Sequence, residues 1–307
     1  MTDSAPPSGA RAVAPVQAPA SPEGAGDVLR LTLCCKDKIG IVAAVAGFIA
    51  ARGGSIMEAS QFSDASDGQF YLRMEFRLPA GAAADAVVRD FADVAASFSM
   101  AWDLANAQRR PRTLILASKF GHCLYDLVHR WRAGSLPVDL LGVVSNHDDL
   151  RAFVEWNGLP FHYLPVSKES RPEQERQVLA QIASVDAELV VLARYMQILS
   201  PEFCEAVAGR CINIHHSFLP GFKGANPYKQ AHARGVKLIG ATAHFVTSDL
   251  DEGPIIEQNV VRVDHSRSAP ELVSIGQDEE SRTLTQAVKW FSEHRVLLDG
   301  ARTIIFK

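Results

Sequence analysis

Long apolar runs, cysteines at metal-site or redox spacing and stripes of basic residues are all missing from this 307-residue chain, and each absence removes a class of function. With no continuous apolar stretch of about 20 residues, no segment is expected to cross a bilayer as a helix. The five cysteines, Cys34, Cys35, Cys123, Cys204 and Cys211, are odd in number and lack the spacing of a zinc site or a redox motif, so they read as reduced thiols. The net charge is −4 and basic residues form no stripe, which removes nucleic acid and anionic membranes as expected partners and leaves a small molecule. Residues Met1 to Asp27 have neither the basic start nor the apolar run of a secretory signal, so the cytoplasm is the expected compartment.

What remains is a globular composition, 47% hydrophobic and 21% charged, in a chain long enough for two domains. Residues 1–27, rich in Ala, Pro, Ser and Gly, cannot offset the entropy of ordering and are expected to form a disordered tail. From Val28 to Leu33 the pattern alternates as in a strand, and Ile41, Val45, Phe48 and Ile49 then recur at helical spacing. Gly53-Gly54 ends that helix. Strand-like runs over Ser55–Ser63 and Gln69–Arg77, followed by a helical stretch over Ala83–Phe98, complete a β-α-β-β-α order.

That order, with Asp37-Lys38-Ile39-Gly40-Ile41-Val42 at the first strand-to-helix turn, resembles the small ferredoxin-like ACT regulatory module over residues 28–105. The resemblance implies either an amino-acid effector site, with Asp37 and Gly40 as contacts, or a dimerisation domain that binds nothing. Modules of this kind pair, so a homo-oligomer is expected. Residues 106–111 read as a polar linker. Beyond it, over 112–307, apolar strands at Arg112–Ala117, Val138–Val144 and Leu189–Ala193 alternate with helical stretches such as Cys123–Arg132 and Asp148–Asn157. The pattern predicts an α/β fold with a mostly parallel, Rossmann-like sheet and catalytic side chains at the carboxyl ends of its strands.

The strand Cys211-Ile212-Asn213-Ile214-His215 is apolar except for Asn213 and His215, which an i, i+2 spacing places on one face. By themselves they either satisfy each other's polar groups inside the fold or present them to a ligand. A second strand, Ala243-His244-Phe245-Val246, leads into a loop with three carboxylates, Thr247-Ser248-Asp249-Leu250-Asp251-Glu252-Gly253-Pro254. The ordered set Asn213-Ile214-His215, Ser217 with Leu219-Pro220, and Leu250-Asp251-Glu252-Gly253-Pro254 resembles the folate-dependent formyltransferases. The resemblance implies that Asn213, His215 and Asp251 form the catalytic set, and it implies no metal or other cofactor. It further implies a folate pocket from Met196, Gln197, Ile198 and Leu199 on one side and Thr247, Ser248 and Asp249 on the other. Some relatives carry Arg where this chain has Gln197. His216 and His244 read as packing or supporting residues, and the loop Gly221–Pro227 as a border of the site or a plain turn.

A transferase that formylates a phosphorylated acceptor needs a Gly- and Ser-rich cradle at the start of its first helix. Here the segment is Ser118-Lys119-Phe120-Gly121-His122-Cys123-Leu124, with one glycine among bulky residues. Water is then the simplest acceptor. An ACT-like module ahead of a formyltransferase-like domain resembles the formyltetrahydrofolate deformylases, which implies hydrolysis of 10-formyltetrahydrofolate and a supply of formate to one-carbon metabolism and purine biosynthesis. Two alternatives stay open: transfer to an acceptor such as glycinamide ribonucleotide, held through Lys119 or His122, and a non-catalytic folate or amino-acid sensor.

Overall fold

The computed structural model describes residues 26–221 and 227–307. The expected tail therefore lies outside the described residues up to residue 25, as does the stretch 222–226 of the loop after Leu219-Pro220. Asp27, at the end of the expected tail, already accepts from the Leu78 amide.

The amino-terminal unit runs β1 (Val28–Lys36), α1 (Ile41–Ala51), β2 (Ser55–Asp64), β3 (Gln69–Arg77), α2 (Ala84–Phe98) and β4 (Ala101–Asn106). Its sheet has the order β2-β3-β1-β4, and β1 pairs antiparallel with both β3 and β4. β4 adds a strand to the order read from the sequence. Only Trp102 and Leu104 pack inward from it, too short an alternation to tell from a connector. One face of the sheet buries Leu29, Leu31, Leu33, Leu72, Met74 and Phe76 against Val45, Phe48 and Ile49 of α1 and Val87 and Phe91 of α2. The alternate residues of β3 face the rest of the protein: Tyr71 and Arg73 are each 1% exposed.

The second unit runs β5 (Arg112–Ala117), α3 (His122–Arg132), β6 (Asp139–Ser145), α4 (Arg151–Trp156), β7 (Phe161–Tyr163), α5 (Arg171–Ser184), β8 (Leu189–Ala193), α6 (Pro201–Ala206) and β9 (Cys211–His215). It continues with α7 (Pro227–Arg234), β10 (Leu238–Phe245), β11 (Ile255–Arg262), α8 (Ala269–Ser292), β12 (Val296–Asp299) and β13 (Arg302–Ile305). Seven strands form one sheet in the order β11-β10-β9-β8-β5-β6-β7, parallel from β7 through β9. Their apolar sequences follow from burial on both faces. One face packs on α3 and α8 through Ile115, Val191, Ile212, Ile214, Leu284 and Val288. The other packs on α5 and α6 through Leu114, Leu116, Val190, Leu192, Val178 and Phe203.

β10 breaks the parallel pattern. It runs antiparallel to β9, with Thr242 opposite His215 and His244 opposite Asn213, and antiparallel again to β11. The loop after β10 therefore leaves the sheet beside the start of β9, not at the common carboxyl edge. His215 ends β9 and Asp251 follows β10, each at the carboxyl end of its own strand as expected, while Asn213 stands mid-strand.

The long helix α8 opens with a capping box: Ser268 Oγ accepts from the Glu271 amide while the Glu271 carboxylate accepts from the Ser268 amide. Such a cap contributes about 1 kcal/mol. Just past its far end, the Glu293 carbonyl accepts from Arg73 Nε at 3.2 Å, and Arg295 pairs with Glu58 at 2.9 Å. The two units are thus joined by a buried guanidinium–carbonyl hydrogen bond and a part-buried ion pair as well as by the chain.

Candidate active site

Asn213 and His215 stand on one face of β9, while Ile212 and Ile214 on the other enter the core. Asp251 reaches them from the loop between β10 and β11. That loop is pinned at its base by the Val246 amide donating to the Cys211 carbonyl and the Phe245 amide donating to the Pro254 carbonyl, both at 2.9 Å. Gly253 permits the close return, since a Cβ there would lie 1.8 Å from the Phe245 carbonyl oxygen. Asp251 itself sits at φ 59°. A side chain in that left-handed region costs about 1–3 kcal/mol and persists where the surroundings enforce it.

The carboxylate Oδ1 of Asp251 is 3.1 Å from His215 Nδ1 and 3.8 Å from His244 Nε2. Burial works to raise the Asp251 pKa, but the hydrogen bond and charge of His215, with His244 and His216 behind it, hold it below the usual carboxylate range. Asp251 is therefore ionised, and His215 donates to it through Nδ1–H. His215 Nε2 is buried and has no hydrogen-bond partner among the described residues, and it is the nitrogen left for a ligand.

His244 fixes the amide of Asn213. Its Nδ1 lies 2.8 Å from the Phe245 carbonyl, which can only accept, so the proton is on Nδ1. Burial pushes the His244 pKa down and keeps the ring neutral. The lone pair on Nε2 then accepts from Asn213 Nδ2 at 3.2 Å, which leaves the second amide N–H of Asn213 for a ligand. The supporting place read for His244 is thus a defined one. His216, by contrast, lies past the end of β9 and not on the opposite face of a strand. Its ring packs on that of His215 with centroids 5.0 Å apart. Burial, with the charges of Arg194 and His215, pushes its pKa down to about 4.

These groups open into a cavity of about 370 Å³, lined also by Met196, Gln197, Ile198, Leu199, Thr247, Ser248, Asp249 and Leu250. Every folate-contact residue read from the sequence lines it. Met196, Ile198 and Leu250 are more than half exposed, so they form apolar walls and are not core residues. A flat ring between apolar walls with backbone groups at its edge fits such a slot. The 194–200 loop is held from behind: the Met196 amide donates to Ser118 Oγ at 3.0 Å, Gln174 Nε2 to Tyr195 Oη at 2.7 Å, and the Ser200 amide to Glu175 at 3.1 Å. Sequence reasoning missed these supports, whose only signal is a polar residue in an otherwise buried stretch.

His122, considered above as a phosphate contact, is engaged within the protein: its Nε2 lies 2.8 Å from the buried Glu280. Lys119 remains exposed. Asp37 and Gly40 are far along the chain, at the start of α1, where Gly40 caps the helix with φ 99°.

The formyl transferase family model matches residues 111–288, the whole stretch that builds this site. A formyltetrahydrofolate deformylase from Corynebacterium sp. (strain P-1) is 50% identical over 90% of this chain and 97% of its own length. The crystal structure of a formyltetrahydrofolate deformylase from Burkholderia mallei superposes with a TM-score of 0.87 at 49% identity, covering 92% of this chain and 100% of that one. A glycinamide ribonucleotide transformylase from Symbiobacterium toebii matches 64% of this chain and 95% of its own, with a TM-score of 0.60 at 30% identity. The two deformylases described span both units, and this chain belongs to the formyltetrahydrofolate deformylase family.

Proposed function

We propose that the chain hydrolyses 10-formyltetrahydrofolate to formate and tetrahydrofolate. The observation that carries the reading is the joined set Asp251–His215 and His244–Asn213, opening with unpaired donors into an apolar slot. Water attacks the formyl carbon, and the carbonyl oxygen becomes an oxyanion. The free N–H of Asn213 and a protonated His215 Nε2 donate to it, each such donor lowering the barrier by about 3 kcal/mol. The proton of the water passes to the Asp251–His215 pair and from there to the departing nitrogen of the folate, whose aryl character eases its release. Every step uses water and side chains, so the reading calls for no cofactor.

Incubation with 10-formyltetrahydrofolate alone tests it, with formate release as the expected result. Asp251→Asn should bind the folate with nearly unchanged affinity while turnover falls by at least a hundredfold. A variant that retains wild-type turnover defeats the assignment.

For the amino-terminal unit, we infer an amino-acid effector site at Asp37 and Gly40 and a homo-oligomer, on the strength of its βαββαβ order and the exposed turn at the start of α1. Calorimetric titration with the common amino acids checks the first, with heat from at least one expected. A cytoplasmic location accords with these proposals, and among the described residues no helix is long and apolar enough to cross a membrane.

A further inference from the structure

A transformylase shares this fold, so a hydrolase on the same frame must treat the space beside the formyl carbon differently. The wall of that space is built around Arg194, the residue after β8, which lines the cavity together with His215, His216 and Asp251. Its backbone sits at φ 61°. Ser99, Asp186 and His294, which share that conformation, follow helix ends, whereas Arg194 and Asp251 belong to the pocket. Glycine would occupy the position without strain, yet the chain places there its bulkiest cation.

The Arg194 side chain is held inward, 10% exposed, with Nε 3.3 Å from Glu280 Oε2 and Cζ 5.8 Å from the Phe120 ring centroid. Glu280 would not need it as a hydrogen-bond donor. The carboxylate already lies 2.8 Å from His122 Nε2 and accepts from Tyr228 Oη at 2.6 Å, and the Nε and Nη1 of Arg194 make no hydrogen bond among the described residues. Tyr228 reaches Glu280 because Gly276 of α8 leaves room, a Cβ there falling 2.1 Å from the ring. His216 closes the gap to the catalytic imidazole, with its ring 5.0 Å from that of His215 and 6.4 Å from that of Tyr228. Arg194, Glu280, Tyr228, His216 and His215 are one continuous packed wall.

We propose that Arg194 is the specificity-determining residue that reserves the site for water. Its side chain, which lines the cavity with His215 and His216, takes up the room that an acceptor amine would need. This rests on the hydrolytic reading above. With the side chain removed, an amine nitrogen can attack the formyl carbon in place of water. The new C–N bond forms as the bond to the folate nitrogen breaks, and the amine proton passes through the Asp251–His215 pair to that nitrogen. The products are an N-formyl amine and tetrahydrofolate.

The test incubates the full chain with 10-formyltetrahydrofolate and millimolar glycinamide and quantifies formate and N-formylglycinamide by mass spectrometry. Wild type should yield formate almost alone. Arg194→Gly should raise the ratio of N-formylglycinamide to formate at least tenfold, and Arg194→Met, which keeps bulk but not charge, should raise it less. Should Arg194→Gly prove unstable on thermal melting, Arg194→Met alone carries the test through the same ratio. A ratio unchanged from wild type in the folded variants overturns the proposal, and so does a wild type that already formylates glycinamide as readily as it releases formate. Absence of formate from wild type without amine would instead overturn the hydrolytic reading.

Discussion

Replacing His244 by phenylalanine removes the ring nitrogens that tie the Asn213 side chain to the β10 backbone, and its consequences separate into two measurable parts. The Phe245 carbonyl loses its donor and one Asn213 N–H loses its acceptor, both in a site where His244 is 3% exposed. At about 1–3 kcal/mol for each buried group left unpaired, the fold should lose roughly 2–6 kcal/mol, read from urea melts. Catalysis suffers because the amide is free to turn its N–H away from the oxyanion. If most of one donor's contribution of about 3 kcal/mol goes, kcat drops by roughly 10- to 100-fold, each tenfold being about 1.4 kcal/mol. KM for the folate should move less than about threefold, since Met196, Ile198 and Leu250, the apolar walls of the slot, stay in place. The sharper assay is a double-mutant cycle on kcat with Asn213→Ala. If His244 acts through Asn213, the double variant is no slower than Asn213→Ala alone. Fully additive losses would refute the positioning role.

Two further outcomes follow from the same geometry. His216 takes up a proton near pH 6.5 when unfolded but only at about 4 when folded, so stability present above pH 6.5 should decline as pH falls towards 4. At about 1.4 kcal/mol per unit the loss approaches roughly 3 kcal/mol, and His216→Asn should flatten that interval in melts recorded from pH 7 to 4. Gly253→Ala would set a Cβ 1.8 Å from the Phe245 carbonyl oxygen, so the loop must lift and carry Asp251 with it. A displacement near 1 Å costs about a hundredfold in turnover, and steady-state kinetics at near wild-type activity would show that the loop accommodates the methyl.

Much of the site was legible because its residues break local pattern. Asn213 and His215 are polar in an apolar strand, and the Leu-Asp-Glu-Gly-Pro loop is a compact motif with Asp251 at a fixed place. What supports them was not legible, for a physical reason in each case. His244 meets Asn213 through the antiparallel register of β9 and β10, and nothing in either strand's pattern states its direction. Glu280 reads as one more charge on an amphipathic helix, yet packing turns it inward to 0% exposure. Arg194 shows no sign in sequence of its left-handed backbone. In the amino-terminal unit the periodic elements stand out, while β4, with two inward residues, does not.

The contact between Arg73 of β3 and the end of α8 bears on anyone wishing to excise the catalytic half. Cutting after Asn106 would leave Arg295, Glu293 and the β12–β13 hairpin without the residues they now bind, Glu58, Arg73 and Asp64. The severed amino-terminal piece would in turn expose Tyr71 and a guanidinium that water does not reach in the intact chain. α8, about 36 Å long at 1.5 Å per residue over 24 residues, carries Glu280 behind the active site and ends at that seam. Truncation is thus an operation on the back wall of the substrate slot, and a shortened protein with altered product preference would be its natural symptom.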